Sequence, residues 1–536
     1  MIISETTRYL VVPTNERANV TKLRLYDGGR LLIDLDAKVD FACPESVMYY
    51  DLAPFMGLDI TVSHASGKSF GFSEKLPAAY EPTRPRLHFT ASRGWINDPN
   101  GLVYYEGEWH LFYQHNPVGR GWGNMHWGHA VSRDLVHWQE LDEALYPDSL
   151  GDMFSGSAIV DYDNLLGLKE NEHDVLLLYY TAAGSGREIS SGQPFTQCMA
   201  YSTDGARSFK KYSGNPVVGH IKGSNRDPKV IRDLESGKYV MSLYLDGDEY
   251  ALLISDNLVD WRQLQTISLP GDNECPDFYP LRDSDGRIKW VLTGAHDCCL
   301  IGSFDPERGF AAESTPYKFG FGAAYAAQTF SVYERGGDGI SRVDMSRRVR
   351  LSWNRFTNLP SKYYNCEMSV PCELTLKSGR LSILPAPEFE AAFEVVEDSR
   401  GLPTLGVVRT LPEVCELTLE ISRIEEPIRL RIFGSHVTLD AASGRLNVGG
   451  ESMPLYVDDG RIALRIIADG RGLEIFNSNG SCFGAFPIER ADSSTADSST
   501  ADSNTADSST ADNQLVIGGE GSLDHMVIAA GKDSVE

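Results

Sequence analysis

The chain has 536 residues, 42% of them hydrophobic, and its 49 Lys and Arg stand against 75 Asp and Glu for a formal net charge of -26 at pH 7. That length calls for two or three domains, and so acidic a chain repels phosphate backbones and anionic lipid alike, which excludes nucleic acid and membranes as partners. The start, Met1 to Arg8, lacks a basic stretch followed by an apolar one, and runs such as Val175 to Tyr180 fall far short of the roughly 20 residues of a membrane helix. The 9 cysteines are scattered instead of spaced as a scaffold, and adjacent Cys298 and Cys299 read as buried thiols. The expectation is a cytoplasmic protein; its oligomeric state is left open.

Residues 1–85 read as a small N-terminal β domain. Leu23 and Leu25 alternate with polar neighbours, Asp27-Gly28-Gly29 turns the chain, and Leu31, Ile33 and Leu35 resume the period of two. A second pair of strands is expected at 48–52 and 58–62, and the proline-bearing segment 77–85 reads as a linker. Through residues 86–384 a unit recurs. Ser132-Arg133-Asp134-Leu135-Val136-His137-Trp138 is echoed by Ser255-Asp256-Asn257-Leu258-Val259-Asp260-Trp261, and more faintly by Ser202-Thr203-Asp204-Gly205 and Ser303-Phe304-Asp305. An apolar strand precedes each echo, at 109–114, 175–181, 239–245 and 289–293, and a fifth at 349–353 has no echo after it. Such units, with almost no helical periodicity, predict an all-β fold built on a five-bladed β-propeller whose strands converge on one funnel. Past Leu384-Pro385-Ala386-Pro387, alternating segments predict a C-terminal β-sandwich over 385–536. The Ala-Asp-Ser-Ser-Thr repeats at 491–512 are too polar to bury a core and read as a disordered loop.

Chemistry concentrates in three short motifs. In Trp95-Ile96-Asn97-Asp98-Pro99-Asn100-Gly101 the proline fixes the backbone after the carboxylate and Asn-Gly supplies the positive φ of a tight turn, so Asp98 is expected to end a strand with its carboxylate aimed. Asn225-Arg226-Asp227-Pro228-Lys229 and Asn273-Glu274-Cys275-Pro276 repeat the device in the third and fourth units. In a propeller these ends can face one axis, giving three carboxylates from three blades. Glycosidic cleavage needs such a set, with one carboxylate to attack and one carboxylic acid to protonate the leaving oxygen. The histidines His110, His115, His126, His129 and His137 are expected on different strands; they lack the His-Glu-x-x-His spacing, so they read as hydrogen-bonding residues and no metal is expected. Phosphate-loop and serine-elbow patterns are missing, which sets nucleotide and serine-hydrolase chemistry aside.

On these residues the sequence resembles glycoside hydrolase family 32, the invertases, levanases and inulinases. Trp95 to Gly101, Phe154-Ser155-Gly156-Ser157-Ala158, Arg226-Asp227-Pro228 and Glu274-Cys275-Pro276 look like its signature blocks and occur in its order. The resemblance implies Asp98 as nucleophile, Glu274 as general acid and base, and Asp227 as the carboxylate that holds fructosyl hydroxyls. It further implies Asn97, Gln114, Trp122, Phe154, Ser155, Arg226 and Trp353 as pocket lining, with Tyr325 in a matching block; Trp122 and Trp353 read equally well as core aromatics. Cys372 stands where the family usually has Arg, and the leading β domain occurs only in some members. The implied activity is a retaining, exo-acting β-fructofuranosidase, without cofactor, that releases terminal fructose from sucrose, fructo-oligosaccharides or fructans. A fructosyltransferase using the same residues, or a carbohydrate-binding propeller without catalysis, are the alternatives. Deleting residues 491–510 is expected to leave sugar release and the thermal midpoint nearly unchanged, because loop closure depends weakly on loop length; loss of soluble protein would make the tract structural.

Overall fold

The structure, a computed structural model, describes residues 1–78, 84–336, 339–341, 345–357, 361–488 and 513–532. The repeat tract at 491–512 lies outside the described residues, as does part of the expected linker. The chain divides into two compact units: Met1–Pro82 with Thr90–Lys318 and Tyr325–Met368, and Thr83–Phe89 with Phe319–Ala324 and Ser369–Glu536. This differs from a division at 85 and 384. The leading module falls in the same unit as the sheets that follow it, because Val118 is buried in its core and Arg8 pairs with both Asp51 and Asp142. The hairpin of Cys372–Lys377 with Arg380–Pro385 falls in the second unit.

Within the leading module the strands near 48–52 and 58–62 do not pair with each other. Ser46–Asp51 lies against Tyr9–Thr14, and Ile60–His64 against Thr21–Asp27. A shared core goes with the choice: Leu10 and Val12 on one strand and Met48 and Tyr50 on the next are buried in one cluster.

Four sheets, each built on four antiparallel strands, follow in chain order among the described residues; Ser331–Val332 and Tyr364–Asn365 add to the first of them in parallel. Their strands are Gly94–Tyr105, Glu108–Asn116, His126–Ser132 and Trp138–Glu140; then Asp152–Asp161, Val175–Ala183, Thr196–Ser202 and Lys210–Lys211. The third sheet holds Arg226–Arg232, Tyr239–Asp246, Glu249–Ser255 and Arg262–Ser268, and the fourth Asp277–Arg282, Ile288–Thr293, Cys298–Asp305 and Gly309–Ala312. A further group joins Ala324–Thr329, Arg348–Asn354 and Glu367–Met368. The second strand of the second sheet reads as an apolar run because both of its faces are covered: Val175–Ala183 is buried at every position. The first strands lie side by side, Gly94–Tyr105 against Asp152–Asp161, that against Arg226–Arg232, and that against Asp277–Arg282, while Arg348–Asn354 returns to Gly94–Tyr105.

The serine echoes have a common cause. Ser132 Oγ accepts the N–H groups of Asp134 and Leu135, and Ser255 Oγ those of Asn257 and Leu258. In both loops the leucine takes a positive φ, and the tryptophan that follows donates its indole N–H to that leucine's carbonyl. Ser202 Oγ binds the N–H of Ala206 in the same way. The motif is thus a side-chain-capped turn leading toward the fourth strand.

The second unit contains an 8-stranded and a 6-stranded sheet around one core in which Leu417, Leu430, Leu464, Ile475 and Ile528 are buried. The alternating segments beyond residue 387 are strands, among them Cys415–Ser422, Ile428–Ile432 and Arg461–Asp469. The α-helix among the described residues is Pro387–Glu390.

One expectation is corrected. Asp98 does not end a strand; it sits inside Gly94–Tyr105, where the pairing register shifts between Ile96 and Pro99 and again between Asn100 and Val103, and the hairpin turns later, at Glu106-Gly107. Pro99 has no N–H to give to a ladder, so a bulge accommodates it without breaking the strand. Bulges also shift the register between Phe154 and Gly156 and between Arg226 and Lys229. At Gly156 a Cβ would strike the backbone of Tyr179 and Tyr180. Gly156→Ala is therefore expected to lower the thermal midpoint by several degrees, about 2 kcal/mol of destabilisation by overpacking, read by calorimetry; an unchanged midpoint would show that the bulge has slack.

Candidate active site

The bulges are where the polar residues gather. Asn97 and Asp98 come from the bulge of the first sheet's leading strand, Phe154 and Ser155 from that of the second, and Arg226 and Asp227 from that of the third. Glu274 precedes the fourth sheet's leading strand. Asp227, Glu274 and Cys275 all hold positive φ, at 65°, 52° and 38°. Such backbone is costly for non-glycine residues and turns their side chains off the regular strand direction.

These residues, with Gln114, Trp122, Tyr325 and Trp353, line one pocket of about 490 Å³, its open mouth included. Every site residue expected from the sequence is in that lining. Trp353 is buried, with its ring against Trp95 and Tyr325, whereas Trp122 is 62% exposed and meets Phe154 edge-on, so it is no core residue. Gln114 is held by a hydrogen bond to the Met153 carbonyl at 2.8 Å.

Asp98 is gripped on both oxygens: Ser155 Oγ donates to Oδ2 at 2.6 Å and Asn97 Nδ2 to Oδ1 at 3.1 Å, Asn97 being oriented by the Trp95 indole N–H at 3.0 Å. Glu274 accepts from Arg226 Nη2 on one oxygen and from the Tyr325 hydroxyl on the other. The Arg226 guanidinium lies over the Tyr244 ring, 4.5 Å from its centroid. Asp227 accepts the Cys275 N–H at 3.1 Å, and its own N–H donates to Thr181 Oγ1 at 2.9 Å.

Cys275, Thr181 and Tyr244 were not picked out as functional residues by the sequence reading. Cys275 Sγ lies 3.5 Å from an oxygen of both Asp98 and Asp227, a bridge between two carboxylates. Its place inside the Glu274-Cys275-Pro276 block was the available signal. Thr181 and Tyr244 sit in apolar runs and carried none.

Asp227 and Glu274 share the Arg226 guanidinium, Asp98 lies beside them, and the protonation of all three follows from burial and neighbours. Burial pushes the Asp98 carboxyl up, against the hydrogen bonds from Ser155 and Asn97, and the charge of Glu274 adds to the rise. Burial drives Asp227 up to about 7, opposed by Arg226 and reinforced by the charges of Asp98 and Glu274. Glu274 is also penalised by burial, but Tyr325 and Arg226 outweigh that and hold it below the ordinary glutamate range. Burial beside these carboxylates keeps the Cys275 thiol protonated.

The histidines share strands, contrary to expectation: His110 and His115 lie on Glu108–Asn116, His126 and His129 on His126–Ser132. His110 and His129 hydrogen-bond through their rings at 3.0 Å, His129 stacks on Phe112 at 4.1 Å, and burial lowers the pKa of both. Burial would also lower His115, but the Glu143 carboxylate overcomes it and raises its pKa. Among the described residues no group of three or more His, Cys, Asp or Glu is placed to hold a metal ion.

The raised Asp227 has a consequence for stability. Between the ordinary aspartate value of 3.8 and about 7 the unfolded chain has lost this proton while the folded one keeps it, so stability falls as pH rises through that window. Asp227→Asn, which tolerates the same positive φ, removes the loss. Its thermal midpoint is expected to gain on the unsubstituted protein steadily from pH 4 to pH 8 in buffered melts; a constant difference would contradict a buried charge there.

Residues 88–387 match the Glycosyl hydrolases family 32 N-terminal domain. A levanase of Bacillus subtilis (strain 168) is 32% identical over 459 residues, covering 75% of this chain and 65% of the levanase. An invertase of Schizosaccharomyces pombe is 40% identical over 238 residues, 41% of this chain and 40% of the invertase. The match thus spans less than two thirds of either relative. The crystal structure of exo-inulinase from Aspergillus awamori shares the fold, with a TM-score of 0.71 at 24% identity, over 85% of this chain and 99% of that one.

Proposed function

The chain belongs to glycoside hydrolase family 32, and from that premise we propose that it is a retaining, exo-acting β-fructofuranosidase. Its substrates would be fructosides, sucrose and fructo-oligosaccharides before longer fructans, and its four sheets with the further strand group would form a five-bladed propeller around the pocket. The observation that carries the reading is the convergence of Asp98, Asp227 and Glu274, from three different sheets, on one pocket with a single guanidinium among them.

Asp98, fixed by Ser155 and Asn97, attacks the anomeric carbon of a terminal fructosyl unit while Glu274 protonates the departing oxygen; Glu274, now a base, then activates the water that frees fructose. Asp227 holds ring hydroxyls, and its contacts strengthen as the ring flattens in the transition state. Tyr325 and Arg226 hold Glu274 as the anion and burial raises Asp98, the reverse of what the first step needs. A sugar oxygen seated on Glu274 competes with Tyr325 and Arg226 for it and strips its water, which favours the protonated acid. Once Glu274 is neutral, the like charge that raised Asp98 is gone, and Asp98 is freed to act as the anion. Binding and proton placement are thereby coupled. The clustering of the motif residues around one pocket supports attack on chain ends.

Asp98→Asn and Glu274→Gln are each expected to lower kcat on sucrose by about 10³-fold or more without unfolding the protein. Azide should partly restore the Glu274 variant on substrates with good leaving groups. The anomer first released, followed by NMR, should be β, and a defined oligofructoside ladder should yield free fructose from the earliest time points. An α first product would refute retention, and early internal fragments without fructose would refute exo attack.

A further inference from the structure

The leading module contributes no residue to the pocket lining, yet it grips the loop that carries Trp122. That loop reads Gly119-Arg120-Gly121-Trp122-Gly123-Asn124, and with a glycine at every other position it would sample many conformations if left to itself. It is anchored at both ends. Before it, Val118 is fully buried in the module's core beside residues such as Leu10 and Ile33. After it, Asn124 holds a positive φ of 47° and pairs with the backbone of Asp36 like a strand partner, accepting its N–H at 2.9 Å and donating to its carbonyl at 2.8 Å. Asn124 also donates to Asn116 Oδ1 at 3.0 Å, and Asn116 in turn donates to the Gly121 carbonyl at 2.8 Å. Mid-loop, the Arg120 guanidinium lies 3.5 Å from Glu16 and 3.9 Å from Glu45, both in the module. Arg120 is also held outside the module, by the Ser361 carbonyl and by Asn365, which donates to its carbonyl at 2.9 Å. Trp122 itself is mostly exposed and, among the described residues, meets a ring only at Phe154, edge-on, so its position depends on how this loop is held.

Resting on the reading of the pocket as a fructoside site, we propose that the leading β module is a positioning element for substrate: through Asn124 and Arg120 it holds Trp122 at the pocket mouth as a wall against the bound sugar. The clamp acts on binding and leaves the bond-breaking groups where they are. Asn124 and Arg120 are positioning residues, acting through Trp122.

The test is a double-substitution cycle on the full chain with sucrose. Asn124→Gly keeps the positive φ and removes the clamp; it is expected to raise KM roughly five- to tenfold with kcat within about twofold. Trp122→Ala should raise KM comparably, and the combined variant should add less than about twofold to either alone, because both remove the same wall. Full multiplication of the two effects, or an Asn124→Gly variant that loses thermal midpoint with KM unchanged, would overturn the proposal. If Asn124→Gly does not fold, Glu16→Gln with Glu45→Gln, both at the surface, should raise KM about twofold, and an unchanged KM there is equally fatal. An unsubstituted protein that frees no fructose from sucrose would refute the activity itself, whereas an active protein with an insensitive clamp would refute only the positioning role.

Discussion

The constraint on which the rest depends is a backbone one. A regular strand alternates its side chains and cannot bring adjacent residues such as Asn97 and Asp98, or Arg226 and Asp227, to one point; bulges and left-handed residues can. Each of the three motifs pairs an acidic residue with a proline, which at Pro99 and Pro228 removes a ladder donor, and the left-handed residues among them cost on the order of 1–3 kcal/mol apiece. The surrounding strands hold that conformation because they leave no room to relax: Gly156 abuts the backbone of Tyr179 and Tyr180, and Ser157 Oγ joins the Pro228 carbonyl to the Val230 N–H across two sheets. Strain at the pocket and the burial of strands such as Val175–Ala183 are two sides of one arrangement.

Electrostatics follows from that geometry. Placing three carboxylates in a buried cluster with one guanidinium leaves more negative charge than Arg226 can neutralise, so protons must stay in the cluster. Which carboxylate holds a proton then depends on local donors. Ser155 and Asn97 serve Asp98, Tyr325 and Arg226 serve Glu274, and the Cys275 N–H serves Asp227. A ligand that displaces one donor redistributes the rest.

Much of the site was legible because short polar motifs beside prolines stand out against apolar strands: Asp98, Asp227 and Glu274 were read from them, whereas the rest of the pocket lining was implied by the resemblance to the family. The strands at 175–181 and 239–245 were legible as apolar runs, and the Ser132 and Ser255 loops as repeats. What stayed hidden is non-local. The bulge at Asp98 looked like a turn, since Pro-Asn-Gly carries the same local signal in both. Thr181 and Tyr244 gained their contacts only when distant strands met, and the pairing of Tyr9–Thr14 with Ser46–Asp51 depends on a shared core that no alternation pattern specifies. The sharing of one compact unit by the leading module and the sheets after it rests on Val118 and Arg8, each unremarkable in its own neighbourhood.

Val118 also bears on how the chain reaches its folded form. The leading module leaves the ribosome before the sheets that follow it, but its core is incomplete until a residue some way downstream arrives, at the exit from the first sheet's second strand. The early-emerging segment therefore cannot mature as an independent foldon; its final consolidation is coupled to the ordering of the following sheet, and cooperativity spans the two.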